Sequence, residues 1–208
     1  MSFLRVLAWC GGMALLLTGC SIEPAKPEPL PATEILKPIT GRSAFYKMFP
    51  VARQWAQDAQ GIQLSSIYLQ ELPSGGPGTA GAWQAIFASR TKGKVKTFTW
   101  AVTDAPGNIK KGVFQSDEED FTGKLDQAVP FYPQALHIDS DEAYKSVAAK
   151  PNKQIAANAN LPVNYLLEFV PSRYGDLTWR VLWGESVGSA AYSVSVDATT
   201  GMVLERLH

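Results

Sequence analysis

The stretch Tyr192-Ser-Val-Ser-Val-Asp-Ala-Thr-Thr-Gly-Met-Val-Leu204 decides the fold. It alternates aromatic or aliphatic residues with small polar ones, meets a polar turn, and resumes with aliphatic residues. Asp197 can accept hydrogen bonds from backbone N–H groups, and Gly201 can take a positive φ without strain. The stretch therefore predicts an antiparallel hairpin with strands Ala190–Val196 and Met202–Leu207.

A helix and two strands precede this hairpin. Asp139 followed by Glu142 forms a capping-box pattern, which predicts a helix start. Pro151 predicts the end of that helix, and a second short helical piece is expected around Ile155. Strands are predicted near Val163–Val170 and Leu177–Trp183. The second strand alternates, which indicates a sheet with one face under helices (Leu177, Trp179, Val181, Trp183) and one wet face (Thr178, Arg180).

The same pattern occurs earlier in the chain. Phe98–Val102 matches Tyr192–Val196 at an offset of 94 residues, and Trp83–Ile86 matches Trp179–Leu182 at an offset of 96. The dipeptide Tyr-Lys recurs at an offset of 98, at 46–47 and 144–145. Drifting offsets are what changes of loop length produce, so we expect a duplication, with a chance match of short β patterns as the alternative.

The first copy has the same predicted order of elements. A helix is expected over Ala44–Ala59, with a break or a fresh start at Pro50 and an end at Gly61. The remaining predicted elements follow in chain order: strand Ile62–Leu72, flexible loop Pro73–Gly78, hairpin strands Ala82–Arg90 and Val95–Val102, and last strand Ile109–Phe114.

These elements predict an α+β fold made of two tandem repeats, each a helix with an antiparallel sheet. The predicted division of the chain is residues 1–19 signal peptide, 20–40 lipidated cysteine and linker, 41–116 first repeat, 117–135 connector, and 136–208 second repeat. The connector contains the acidic run Asp117-Glu-Glu-Asp120.

The hairpin of the second copy resembles the C-terminal hairpin of PepSY-type domains, which have a hydrophobic strand, an Asp-Ala-x-Thr-Gly turn and a closing aliphatic strand. The resemblance covers about 70 residues of the second copy and, more weakly, the first, where Val102–Gly107 is a degenerate version of the turn. Met202 and the helix break at Pro151 depart from the pattern. The resemblance implies an extracytoplasmic binding or inhibitory module, sometimes of peptidases, and implies no catalytic residues.

The N-terminus predicts export and lipidation. Arg5 precedes the apolar run Val6–Leu17, which is too short to span a bilayer comfortably. Leu17-Thr-Gly-Cys20 resembles the bacterial lipobox, which implies cleavage before Cys20 and acyl chains such as palmitate on this residue. An ordinary secretory signal with a chance cysteine, or a short buried helix, are the alternatives. In Gram-negative lipoproteins that this one resembles, Ser21 rather than Asp implies a periplasm-facing anchor in the outer membrane.

Residues 22–40 contain five prolines and predict an extended spacer between lipid and fold. A disordered tail would serve the same purpose, and a proline-motif ligand for a partner is a further alternative. The whole chain has 19 basic and 19 acidic residues. Loss of residues 1–19 removes Arg5 alone among them, so 18 − 19 leaves a charge of −1. This balance gives no case for nucleic-acid binding.

No reactive constellation stands out in the sequence. Cleavage leaves Cys20 alone, so no internal disulfide is expected. His137 and His208 form no metal-spaced pair, no Gly-x-Ser-x-Gly elbow occurs, and Gly75–Gly78 lacks the Lys-Ser/Thr of a phosphate loop. The acidic runs lack EF-hand spacing. We therefore expect no catalytic residue, no metal, no cofactor and no enzyme activity.

The sequence thus predicts a membrane-anchored, non-enzymatic binding or inhibitory module with an envelope-protein partner. The alternatives are an outer-membrane assembly factor, a carrier of small apolar ligands, and a hydrolase whose site the sequence does not reveal. Exposed aromatic residues near the groove between the repeats are the candidate partner contacts: Trp83, Trp100, Trp179 and Trp183. Core packing is the simpler explanation for most tryptophans, Trp55 included.

Overall fold

The computed structural model describes residues 36–149 and 151–207, with side chains up to Leu204. The predictions for the signal peptide, for lipid on Cys20 and for most of the linker lie outside the described residues, as does His208. The described part belongs to one compact unit. It contains no helix that is long and apolar enough to cross a bilayer.

In each half of the chain, a helical segment is followed by a series of strands. The first half contains β1 (Ile39–Thr40), α1 (Gly41–Trp55), β2 (Gln60–Ser66), β3 (Thr79–Ala80), β4 (Ala82–Ser89), β5 (Lys94–Ala101) and β6 (Gly112–Asp120). The second half contains α2 (Ser140–Ala148), α3 (Lys153–Ala157), β7 (Val163–Phe169), β8 (Leu177–Trp183), β9 (Tyr192–Asp197) and β10 (Val203–Leu207).

Eight of the strands form one antiparallel sheet in the order β10-β9-β8-β7-β2-β4-β5-β6, and β1 pairs with β3 in a separate ribbon. Each half contributes four neighbouring strands, and the two sets join through β2 and β7. The α+β fold class is confirmed. The two predicted repeats do not form separate sheets, because β2 of the first half pairs with β7 of the second.

The strand pairing gives a different correspondence between the two halves from the one that the sequence match predicted. Trp83 pairs with Trp100, and Trp179 pairs with Val196, so the partner lies 17 residues on in both hairpins (100 − 83 and 196 − 179). An offset of 96 therefore holds for both strands of the hairpin, and the predicted offset of 94 for the second strand is wrong. Short alternating strands match equally well after a shift of two residues, since their side-chain period is two.

The helices cover one face of the sheet. The side chains between helices and sheet form the main core cluster, with the fully buried Phe45 and Met48 of α1 facing Trp83, Phe87 and Trp179. The opposite, outer face of the first half carries two smaller clusters, around Ile62 and around Leu72. A segment of the predicted connector contributes Ala128 to the first of these.

Helix α1 begins at Gly41 and continues through Pro50 to Trp55, so the predicted break and the predicted end at Gly61 are both wrong. Proline in a helix interior costs about 3 kcal/mol through one lost hydrogen bond and a steric clash. Buried residues on both sides of it, Ala44, Phe45, Met48 and Ala52, share one face of the helix, and their burial outweighs this cost. Gly61 lies in β2, beside the ring of Phe131.

The acidic run lies in a strand rather than in a connector. β6 extends from Gly112 to Asp120, so the predicted boundary at residues 116–117 falls inside it. Lysines of the β4–β5 hairpin neutralise the run, with Lys94 Nζ 2.7 Å from Asp120 Oδ1 and Lys92 Nζ 3.5 Å from Glu118 Oε1. The predicted strand Ile109–Phe114 begins three residues too early.

Two further boundaries of the first half also differ. β2 ends at Ser66 rather than Leu72, and the residues that follow it form a loop. The turn before β6 is closed by Lys111 N–H, which donates to Asp104 Oδ1 at 2.7 Å.

The second half matches its local signals closely. Asp139 and Glu142 form the predicted capping box, α2 ends before Pro151, and α3 surrounds Ile155. In the hairpin turn Asp197 Oδ1 accepts from the backbone N–H of Thr199 at 2.8 Å and of Thr200 at 2.7 Å. Gly201 has φ +76°.

The outer face of the second half is less wet than predicted. Thr178 and Ser195 are fully buried, and the Ser195 hydroxyl lies 2.8 Å from the Tyr174 hydroxyl of the loop between β7 and β8.

Candidate functional site: a groove at the junction of the two halves

The first turns of α1 and α2 meet at the junction of the two halves. Gly41 N–H donates to Ser140 Oγ at 2.7 Å, and Arg42 N–H donates to Asp139 Oδ1 at 2.8 Å. Thr40, the N-cap of α1, makes no side-chain capping bond. Side chains almost 100 residues further along the chain therefore cap the orphan donors of α1.

The glycine-rich loop before β3 is fixed to this junction. Ser140 Oγ donates to Gly78 O at 2.6 Å, and Gly78 N–H donates to the Tyr165 hydroxyl, also at 2.6 Å. Gly78 has φ +82°, and a Cβ there would lie 2.1 Å from the Cα of Asp141. The loop was predicted to be flexible, yet its last residue is held by two side chains of the second half, Ser140 and Tyr165. Burial raises the pKa of Tyr165 well above its ordinary value, so the phenol stays neutral.

A groove of about 470 Å³ opens beside this junction. We call it the junction groove. It lies between the loop and strand residues of segment 67–81, Tyr144 of α2, and segment 162–165 at the start of β7. Residues of both halves thus form its walls. The sequence pointed to a groove between the repeats, but the four tryptophans predicted as contacts there do not line the junction groove.

The lining of the junction groove is uncharged. Among the described residues that line it there is no Asp, Glu, Lys, Arg, His or Cys. Tyr68 is exposed and Tyr144 is half-buried. Asn164 at the groove is held in place, because its amide donates to Gly184 O at 2.6 Å and accepts from Ser66 Oγ at 2.8 Å. Such a surface can bind an uncharged extended segment through aromatic contacts and a few fixed hydrogen bonds.

The four tryptophans predicted as partner contacts do not reach the surface. Trp83, Trp100, Trp179 and Trp183 are at most 2 % exposed and lie between helices and sheet. The prediction of a partner surface on them is therefore wrong, and the core-packing alternative is correct for all four. Alternation in a strand shows that residues share a face, but not whether that face is covered. Trp55 is half-buried, and its indole N–H donates to Glu118 at 2.6 Å.

The aromatic residues of the groove are tyrosines, and none of them was predicted as a partner contact. Tyr68 lay inside the predicted strand Ile62–Leu72, and Tyr144 belonged to the recurring Tyr-Lys dipeptide, but neither pattern indicated a binding site. The one available signal was the position of Tyr68, a few residues before the Pro/Gly-rich loop at 73–78.

No described residues converge on a metal-binding arrangement. The described part of the chain has no group of three or more His, Cys, Asp or Glu side chains that could hold an ion. The side chain of His137 is exposed, and its carbonyl oxygen accepts from Arg42 Nη1. The acidic residues Asp139 and Glu142 serve as the helix cap.

Comparisons with known proteins do not show a family for this chain. No protein-family model matches the chain, and no curated protein matches it. The fold is similar to a solved structure described as a "putative lipoprotein (CD1622)" from Clostridium difficile 630, with a TM-score of 0.43 and 11 % sequence identity. The match covers 79 % of this chain and 91 % of that one. At this TM-score the likeness carries no argument.

Proposed function

We propose that the protein is a lipid-anchored, extracytoplasmic binding module without enzymatic activity, and that its junction groove binds an uncharged extended segment of an envelope-protein partner. The anchor would be the lipid on Cys20 that the lipobox implies, in the outer membrane if the host has two membranes. PepSY-like tandem repeats are part of this proposal. The resemblance of the hairpin turn at Asp197–Gly201 supports them.

The observation that carries the proposal is the uncharged lining of the junction groove. A charged partner segment would lose hydration on entering it and would find no counter-charge. An uncharged segment loses less, and it gains the faces of Tyr68 and Tyr144. Tyrosine supplies a large, stiff contact area with a hydrogen-bonding tip, which makes it frequent at interfaces.

The position of the predicted spacer agrees with this function. β1 pairs with β3 through Ile39 with Ala80 and Thr40 with Thr79, and both β3 residues line the groove. The spacer therefore joins the fold next to the groove. An extended spacer from Cys20 to Ile39 would reach about 60 Å at roughly 3.1 Å per residue, so the groove would remain near the membrane surface.

Site-specific photocrosslinking in cells tests the proposal. A photoreactive amino acid at Tyr68 or Tyr144 should give a reproducible crosslink to one envelope protein. The same amino acid at Tyr132, which is 69 % exposed and does not line the groove, is the matched control. Mass spectrometry identifies the crosslinked partner, and the substitution Asn164→Ala should reduce the yield.

Two results would contradict the proposal: crosslinks at Tyr132 that equal those at the groove, or no protein crosslink at either groove position. The assembly-factor alternative predicts lower levels of barrel proteins when the gene is deleted. The carrier alternative needs an apolar cavity between helices and sheet. The described side chains there pack into one cluster, which gives it no support.

A further inference from the structure

A second cleft, separate from the junction groove, lies on the outer face of the first half. It has a volume of about 380 Å³. Its floor is a row of directly paired residues on three neighbouring strands: Gln84 of β4 opposite Thr99 of β5, and Thr99 opposite Phe114 of β6. Asn108 lies on its rim. We call this the outer cleft.

The outer cleft holds unused hydrogen-bonding capacity. Thr99 Oγ1 is shielded from solvent and has no hydrogen-bond partner in the described part of the chain. A buried hydroxyl without a partner costs roughly 1–3 kcal/mol, so it is an uncommon feature of native proteins. Gln84 lies beside it in the same row, and Asn108 adds a second amide group at the rim.

The rim of the cleft is built by a tight turn. Gly107 and Asn108 both have left-handed backbone conformations, with φ +77° and +62°. Ala105 and Ile109 form a bridge across this turn. Asparagine tolerates the left-handed region better than most other residues with a side chain, so the turn can hold its amide at the rim at little cost.

The corresponding positions of the second half are occupied by groups of the chain itself. With the 96-residue offset, Arg180 corresponds to Gln84 and Ser195 to Thr99. Ser195 Oγ donates to the Tyr174 hydroxyl at 2.8 Å. Arg180 Nη1 lies 3.9 Å from Glu168 Oε1, while Arg180 Nε, like Thr99 Oγ1, has no hydrogen-bond partner in the described part of the chain. In the first half the same face presents a neutral amide and an unpartnered hydroxyl instead. The Thr99 hydroxyl therefore lacks an internal partner of the kind that the Ser195 hydroxyl has, and a ligand could supply one.

We propose that the outer cleft binds a neutral saccharide. Sugar hydroxyls both donate and accept, and the amides and hydroxyls of Gln84, Asn108 and Thr99 complement them. Phe114, which is 47 % exposed, offers a flat apolar surface for one face of a pyranose ring. Asp117 is the charged residue of the lining, and its carboxylate can accept from hydroxyls. With no Lys or Arg among the described residues that line it, the cleft does not favour phosphate or carboxylate ligands.

Titration of the ¹⁵N-labelled folded chain with maltotriose, cellotriose and chitotriose tests this proposal. At least one sugar should shift the side-chain amide signals of Gln84 and Asn108 at millimolar concentrations. The substitution Phe114→Ala should weaken binding about tenfold or more, and Thr99→Val should weaken it while conserving side-chain shape. Gln70→Ala in the junction groove is the matched control and should leave the affinity unchanged.

Absence of shifts with all three sugars would overturn the proposal, as would equal affinities of the wild type and Phe114→Ala. A peptide crosslinked through the junction groove would leave these outcomes untouched, because the two sites share no lining residue. Each variant is first checked for an unchanged backbone spectrum. Thr99→Val keeps the test valid if Phe114→Ala disturbs the edge strand.

Discussion

Trp83 and Trp179 lie edge to face at the junction of the two halves, with ring centroids 6.4 Å apart and ring planes at 71°. Each indole N–H donates, at 2.9 Å, to the carbonyl oxygen of the residue just before a helix N-cap: Trp83 to Ile39, and Trp179 to Ile138. The two halves thus use the same bond at corresponding positions. This relationship joins each helix start to the sheet beneath it and joins the halves to each other.

We expect Trp83→Phe and Trp179→Phe to lower the free energy of unfolding by about 1–3 kcal/mol each. Each substitution leaves a partly buried carbonyl oxygen without its indole donor and removes part of a fully buried ring. The double variant should show a coupling energy of roughly 0.5–1.5 kcal/mol, because the rings contact each other. Urea titrations of the wild type, the two single variants and the double variant measure this coupling energy. Trp55→Phe, at a half-buried site, is the control, and strict additivity of the two losses would contradict the contact.

Local signals were sufficient for the second half of the fold. The capping box at Asp139–Glu142, the strand Leu177–Trp183 and the turn at Asp197–Gly201 depend on neighbours within a few residues, and the structure contains all three. The continuation of α1 through Pro50 depends on burial against the sheet. That information is distributed over strands far away in the chain, so no local pattern could supply it.

The candidate sites could not be predicted from the sequence for a related reason: they depend on contacts between residues far apart in the chain. Gly78 and Tyr165 are 87 residues apart, yet their hydrogen bond places a wall of the junction groove. Trp83 and Trp179 were predicted at a partner surface because aromatic residues suit both interfaces and cores. Only the position of α1 and α2 over the sheet decides between the two. The pairing of β2 with β7 brings the two tryptophans together.

The substitution Gly41→Ala should destabilise the fold by about 1–3 kcal/mol, although alanine is the better helix former. A Cβ at this position would lie 2.5 Å from Trp179 Cη2 and 3.0 Å from Trp83 Cη2. Thermal unfolding followed by circular dichroism measures the loss. Gly188→Ala is the matched control, since a Cβ there meets nothing within 4 Å. A stabilised Gly41→Ala chain would show that the tryptophans move aside without cost.

The substitution Asp139→Ala should cost about 2–3 kcal/mol, more than the roughly 1 kcal/mol of an ordinary N-cap. Asp139 Oδ1 accepts from Ser140 N–H at 2.7 Å and from Arg42 N–H at 2.8 Å, so one carboxylate caps α2 and α1 together. Asp139→Asn keeps an acceptor oxygen and should retain part of this stability. Chemical denaturation provides the comparison. A loss no larger than that of Thr40→Ala, whose side chain caps no helix donor, would argue against the shared cap.

Asp58 should make the fold sensitive to acid. Hydrogen bonds from Ser89 Oγ and Thr91 N–H lower the pKa of Asp58 from 3.8 to about 2. A lowered folded-state pKa stabilises the fold above the unfolded value, and the effect is lost as the pH falls from about 4 to about 2. Asp58→Asn should therefore reduce stability at neutral pH by on the order of 1 kcal/mol or less, since the group is partly exposed. Urea unfolding at pH 7 and near pH 2.5 measures the difference, with the exposed Glu185→Gln controlling for one lost negative charge. A difference between Asp58→Asn and wild type that is equal at both pH values would mean that the carboxylate charge contributes nothing.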